Sequence, residues 1–242
     1  MGLDISVGAP ARWKRELEPE EFAEFIEGFV SLNEVLVGAG LPPHEEPFDL
    51  ADEDGFEAQM YSYAGLHTVR RLAAYWALKG RLPTAGERAG DAAEDPVLAA
   101  LFQAQVRHHD RPRSTGLIAR FISRPSAKPK FQHLLWHSDC EGFYVPQSFA
   151  DVILDPAQPQ RPALGGMVGS SVALLEECRE LASLIELPAD IDPVDEALWE
   201  AADSPSDGGA RWTSFGVEAF CLSRLIKACE LSIRHGAVVL FT

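Results

Sequence analysis

Two histidines, two carboxylates and a thiol fall within nine residues, His133 to Glu141, of the stretch FQHLLWHSDCEGFYVP at 131–146. Imidazole, thiolate and carboxylate together make a zinc-competent set. The same groups could serve nucleophilic catalysis, with Cys140 as thiolate, His137 or His67 as its base and Asp139 as the orienting carboxylate. Spacing discriminates between these. On a helix His133 and His137 would share a face, whereas on a strand they would stand about 13 Å apart, too far to hold one ion. The apolar run 131–136 ahead of Gly142 reads as a buried strand entering a tight turn, so the strand geometry is expected. That leaves His137, Asp139 and Cys140 as the metal set and adds Glu141 to the catalytic set, with no match to a zinc-finger or zincin spacing. The architectural alternative is preferred: Ser138 and Asp139 turn the backbone, Cys140 packs as a small hydrophobe and Glu141 pairs with a base. No cofactor is expected.

The elements that must position these residues follow from periodicity. Residues 3–7 alternate like a strand. From Pro19, Phe22, Phe25, Ile26, Phe29, Leu32 and Leu36 recur at helical spacing, with Glu20, Glu21, Glu24 and Glu27 on the other face. The segment 42–54 is a surface loop. Residues 61–79 form a helix with Leu66, Val69, Leu72, Ala73 and Trp76 on one stripe and Gly80 as its cap. This helix carries Tyr61, His67 and Arg70 as candidate ligand-binding residues. Arg70 and Arg71 would face solvent or reach Asp139 and Glu141. Asp95-Pro96 starts a helix over 97–107, where the pair His108-His109 reads as a solvated helix end, its side chains diverging.

Further along, 143–145 is a second short strand and 168–187 a helix opened by the Gly-rich LGGMVGSS at 164–171. A helix N-terminus there could hold an anion, but it lacks the lysine of a P-loop, and an N-cap at Ser170 or Ser171 is the plainer account. Asp192-Pro193 opens a short helix through Trp199, 215–234 is a long final helix, and 237–241 a closing strand. Cys178, Cys221 and Cys229 lie on apolar helix faces as core residues. Four short strands among long helices predict an α+β class, a mainly helical single domain with a small sheet, whose one weak internal boundary lies near 111–129.

Charge bounds the partners. With 37 acidic against 21 basic residues the formal net charge is -16. Such a chain repels nucleic-acid backbone and anionic lipid, so neither nucleic acid nor membrane is expected as a partner, and the basic cluster at 107–130 reads as a solvated counterweight. Its N-terminal segment lacks the basic and apolar regions of a signal peptide, and four dispersed cysteines fit reduced thiols, so a cytoplasmic site is expected.

The opening MGLDI, the segment YSYAGLHTVRRLAAY, the HSDCEG element and the closing GAVVLF together resemble a family of uncharacterised bacterial and phage proteins. The resemblance spans most of the chain, S-D-C-E-G is its most specific part, and it implies no activity. The expectation is therefore a non-catalytic interaction or accessory protein whose acidic surface meets a protein partner, a basic one. Its alternative is a small-molecule hydrolase or thiol enzyme, metal-dependent or not, built on His137, Asp139, Cys140 and Glu141. The oligomeric state is not encoded in any pattern of the chain.

Overall fold

The computed structural model describes residues 3–61, 63–109, 129–138, 141–155, 157, 160, 164–206 and 208–241. Among them six short strands form one mixed sheet: β1 (Asp4–Val7), β2 (Phe56–Gln59), β3 (Phe143–Val145), β4 (Ile153–Leu154), β5 (Met167–Ser170) and β6 (Val239–Phe241). Their order is β2-β1-β6-β3-β5-β4. All neighbours pair antiparallel except β3 with β5. The helices are α1 (Ala9–Glu16), α2 (Pro19–Gly38), α3 (Tyr63–Lys79), α4 (Ala85–Arg88), α5 (Pro96–His109), α6 (Gln132–Trp136), α7 (Ser171–Leu184), α8 (Glu196–Asp203) and α9 (Gly216–His235). The expected α+β class holds, with helices dominant and the sheet small.

Strand alternation divides the core into two layers. Phe143, Val145 and Leu240 meet Phe29, Leu32, Val35 and Leu36 of α2 on one face. Tyr144, Val239 and Phe241 turn to the other face, where Leu66, Val69 and Leu72 of α3, Leu174 and Leu181 of α7, and Phe220 and Leu225 of α9 are buried. On the first face the acidic loop after α2 is pinned in place. The Asn33 side chain exchanges two hydrogen bonds with the His44 backbone, at 3.0 and 2.6 Å. Glu46 accepts from Val238 N at 3.0 Å and pairs with His44 at 2.7 Å.

Several sequence expectations fail for identifiable reasons. Residues 168–170, read as the start of a helix from 168, belong to strand β5 (Met167–Ser170), while the expected cap at Ser170 is present, accepting from Ala173 N at 3.1 Å. The strand needs Gly169: a Cβ there would overlap the ring of Tyr144, which lies over it in the neighbouring strand. The helix expected from Asp192-Pro193 begins at Glu196 instead, because Asp195 caps it by accepting from Ala197 N at 2.9 Å. The segments β2 and β4 lacked a pattern long enough to read.

The largest departure is α6, expected as a strand. A five-residue helix cannot hold itself together in water, and this one is clamped from outside. Phe131 precedes it at φ 60°, a left-handed conformation costly for a non-glycine residue. The Glu177 carboxyl of α7 accepts from His133 N at 3.2 Å and Leu134 N at 2.8 Å, satisfying the otherwise orphaned first-turn donors. At the other end Arg70 donates to Leu134 O at 2.9 Å and His137 O at 2.6 Å. Tyr144 Oη donates to His133 O at 2.7 Å, and His133 Nδ1 accepts from Ser170 N at 3.0 Å. Arg70 and Arg71 are accordingly buried, at 5% and 3% exposure, not solvent-facing.

These contacts predict three stability effects. Gly169→Ala drives a methyl into the Tyr144 ring and lowers the unfolding free energy by about 2 kcal/mol or more in urea titration. Arg70→Ala strands two carbonyls and opens a void, for a loss of about 2–4 kcal/mol. Burial pushes the Glu177 carboxyl up to about 8 from the usual 4.5, against the pull of the donated N–H groups. The folded chain therefore keeps a proton that the unfolded chain releases between those values, and this contribution to stability is lost as pH rises from 4.5 to about 8. Glu177→Gln removes that component, so the difference in urea midpoint between it and the parent chain changes with pH across this window; a constant difference would refute the assignment.

Candidate functional site

The structure brings together two of the residues singled out in the sequence. His137 follows α6 and is 3% exposed, its ring stacked on Tyr144 with centroids 4.2 Å apart and planes at 10°, and tilted against Phe241 at 4.5 Å. Its Nδ1 lies 2.7 Å from Ser138 O, and since a carbonyl only accepts, that nitrogen carries a proton. Arg70 grips the carbonyl of the same residue. His133 turns instead to the backbone of Ser170 and to Phe149, with ring centroids 5.6 Å apart, so the two imidazoles do not converge. Gly142 closes the turn at φ 109°, with space for a Cβ already occupied by Leu164 O at 2.9 Å and His137 Nε2 at 3.1 Å.

The remaining candidates are dispersed. Glu141 is exposed, and His67 is partly buried on α3 one turn before Arg70. Asp139 and Cys140, on which the catalytic and metal readings turn, lie outside the described residues, as do the side chains of His108 and His109 and most of the basic cluster at 107–130. Among the described residues no group of three or more His, Cys, Asp or Glu side chains could hold a metal ion. Cys178, Cys221 and Cys229 are buried in the core, and burial pushes all three thiols up, away from the reactive thiolate. Tyr61 lies elsewhere, beyond β2, where its hydroxyl donates to Asp203 Oδ1 of α8 at 3.0 Å.

Around that last contact lies a feature that sequence reasoning missed. Acidic and basic residues are segregated along the chain and sorted by the fold. Between Arg15 and Arg70 the sequence has fourteen Asp and Glu and no Lys or Arg, and 186–210 has eight with none. Together these two runs hold 22 of the 37 acidic residues. A count of charge sign along the chain, in place of a net total, would have found both. The fold brings the end of the longer run against the shorter at one contact beyond β2, between Tyr61 and Asp203. Arg15 of α1 reaches Asp52, and Arg12 reaches Glu57 of β2 at 2.5 Å. Beyond β2, Tyr61 meets Asp203, from which Glu200 and Glu196 continue along the outer face of α8, opposite its buried Leu198, Ala201 and Ala202.

Burial sharpens this segregation. Among the described acids of the two runs, every one except Glu46 is exposed, and the buried acids Asp95, Asp155 and Glu218 all lie outside the runs. Meanwhile nearby arginines are withdrawn into the protein. Arg70 and Arg71, the first bases after the longer run, and Arg224 are 3–5% exposed. They donate to backbone carbonyls: Leu134 and His137 for Arg70, Gly90 for Arg71 at 2.9 Å, and Phe220 for Arg224 at 3.0 Å. The runs thus keep their carboxylates in water, with Arg12, Arg15 and Arg211 as surface counter-charges, while Arg70, Arg71 and Arg224 leave the surface.

The chain belongs to the family described as "Putative DNA-mimic protein", whose model matches residues 1–241. No curated protein and no solved structure matches it. The family match spans the chain as fully as the resemblance read from MGLDI, HSDCEG and GAVVLF implied. It overturns one other expectation and narrows another. An accessory protein of unspecified process, with a hydrolase or thiol enzyme as its alternative, gives way to imitation of DNA. The expected partner, a basic protein and not nucleic acid, remains compatible with that description but is too general for it. The reason is physical: a net charge of -16 opposes binding to a phosphate backbone, but it equally suits replacing one.

Proposed function

From membership of that family we propose that this protein occupies the DNA-binding face of a DNA-binding protein, presenting carboxylates where the duplex presents phosphates. The observation that carries the reading is the pair of base-free acidic runs, 16–69 and 186–210, whose carboxylates stay exposed and which meet where Tyr61 donates to Asp203. Phosphate contacts supply most of the sequence-independent affinity of DNA-binding proteins, so a surface that copies only the charge can compete without copying any base. Duplex DNA places one phosphate per about 3.4 Å of axis on each strand. On α8 the steps Glu196 to Glu200 and Glu200 to Asp203 correspond to about 6 and 4.5 Å of helix rise, a charge density of the same order.

The catalytic and metal sets built on His137, Asp139, Cys140 and Glu141 have no part in this reading. His137 and Arg70 hold α6 to the sheet. We take 1–242 as one folding unit, because β1 and β6 from its two ends pair at the centre of one sheet. No helix among the described residues is long and apolar enough to cross a membrane. A bacterial or phage source and action in the cytoplasm fit a protein whose target binds DNA.

Competition tests the proposal. Purified helix-turn-helix, minor-groove architectural and single-strand-binding proteins are each loaded with a fluorescent oligonucleotide and titrated with this protein. Displacement from at least one class is expected, weakening as salt rises from about 50 to 200 mM. The triple variant Glu196→Gln, Glu200→Gln, Asp203→Asn should displace at least about tenfold less well, since three lost contacts at about 0.5–1 kcal/mol each reach that factor. Failure to displace DNA from any class at low salt would overturn the reading.

A further inference from the structure

We propose that the C-terminal turn of α8, with Trp199 and Tyr61, is a receptor for an arginine side chain of the partner, a refinement that rests on the DNA-mimic reading for the partner's class. Phe220 of α9, fully buried, acts as a pedestal for two exposed rings. Trp199 meets it edge-on with centroids 4.4 Å apart, and Tyr61 does so at 5.6 Å. Trp199 and Tyr61 nevertheless remain 40% and 38% exposed, well above the buried core. Rigid aromatic rings ringed by polar groups are the usual anchors of protein interfaces.

The charge beside these rings fits a cation and no other class of ligand. Glu200 and Asp203 occupy the last turn of α8, which has no basic residue. The helix dipole disfavours acids at that end, so the arrangement costs stability that an incoming cation would restore. Arginine suits it better than lysine. A guanidinium stacks on an aromatic face while its fork pairs with a carboxylate, whereas an ammonium is a strongly hydrated point charge. The molecule already makes such a contact on the inner side of the same pedestal. The Arg224 guanidinium lies 3.3 Å from the Phe220 ring centroid and 5.5 Å from that of Trp199. The hydrogen bond from Tyr61 Oη to Asp203 fixes one carboxylate against one ring.

Hexa-arginine and hexa-lysine peptides, equal in charge, separate stacking from simple attraction. Isothermal titration of the full chain should give an arginine preference of about threefold to fivefold, the worth of an exposed cation–π contact. Trp199→Leu should abolish the preference. Since that ring also packs on Phe220, Tyr61→Leu provides a second test, expected to reduce the preference, and circular dichroism confirms that each variant is folded. Glu200→Lys should weaken both peptides while raising the unfolding temperature, which a purely structural role for this turn would not produce. Equal affinities for the two peptides, or a preference that survives both ring replacements, would overturn the proposal. An arginine preference without displacement of DNA from any protein would instead leave the receptor standing and sink the DNA-mimic reading.

Discussion

Removal of three arginines from water sets the character of this molecule's surface. Arg70 and Arg71 are the bases that end the longer acidic run, and Arg224 lies beneath Trp199 of α8; each turns inward and donates to backbone carbonyls. Burying a charge costs several kcal/mol unless hydrogen bonds replace its water, and charged donors to carbonyls recover about 1.5–3 kcal/mol each. Burial pulls the Arg224 guanidinium down to about 10, and its support is one carbonyl and two aromatic faces. The consequence appears at the surface, where the carboxylates of two long runs meet few cations.

Arg70 alone of these arginines reaches α6 and the polar knot that follows it. Arg70 closes the C-terminal end of α6, Glu177 its N-terminal end, and Tyr144 joins the helix to β3. With α6 fixed, His137 fills the space between Tyr144 and Phe241 and completes the layer under β6. Strand β6 supports β1, and β1 supports the edge strand β2, just beyond which Tyr61 meets Asp203. The cluster that looks most reactive in the sequence thus serves, several contacts away, to hold the surface proposed to bind.

Much of this was legible in the sequence and some of it was not, for reasons that particular residues make plain. The helical stripe of 22–36, the caps at Gly80, Asp95 and Ser170 and the core cysteines are local patterns, and each stands as read. The failures are where tertiary contacts overrule local preference. Residues 132–136 are apolar enough for a strand, but distant side chains supply the end groups that make a helix: Glu177 is 44 residues from His133, and Arg70 is 64 residues from Leu134. Gly169 weakens strand propensity and is nonetheless required by the Tyr144 ring. The acidic surface was hidden for a different reason: net charge reports a sum, whereas recognition depends on where each sign lies and which charges the fold removes from water.

Clustering like charges has a cost that the core readily offsets. Adjacent acids on a helix oppose each other by a few tenths of a kcal/mol per pair, because water and salt screen them. A single buried side chain such as Phe220 contributes about 1.5–3 kcal/mol. A handful of well-packed residues can therefore carry a long row of carboxylates, provided none of them is buried alone. Glu46, the one described acid of the runs drawn under the surface, meets that condition through His44 and the Val238 N–H. Repulsion among the rest falls off within about 8 Å at physiological ionic strength, so the strain stays at the rim of the sheet and does not reach the layers beneath it. In the proposed function a partner's cations would enter this surface as the missing counter-charges, and binding would relieve the repulsion that the free protein carries.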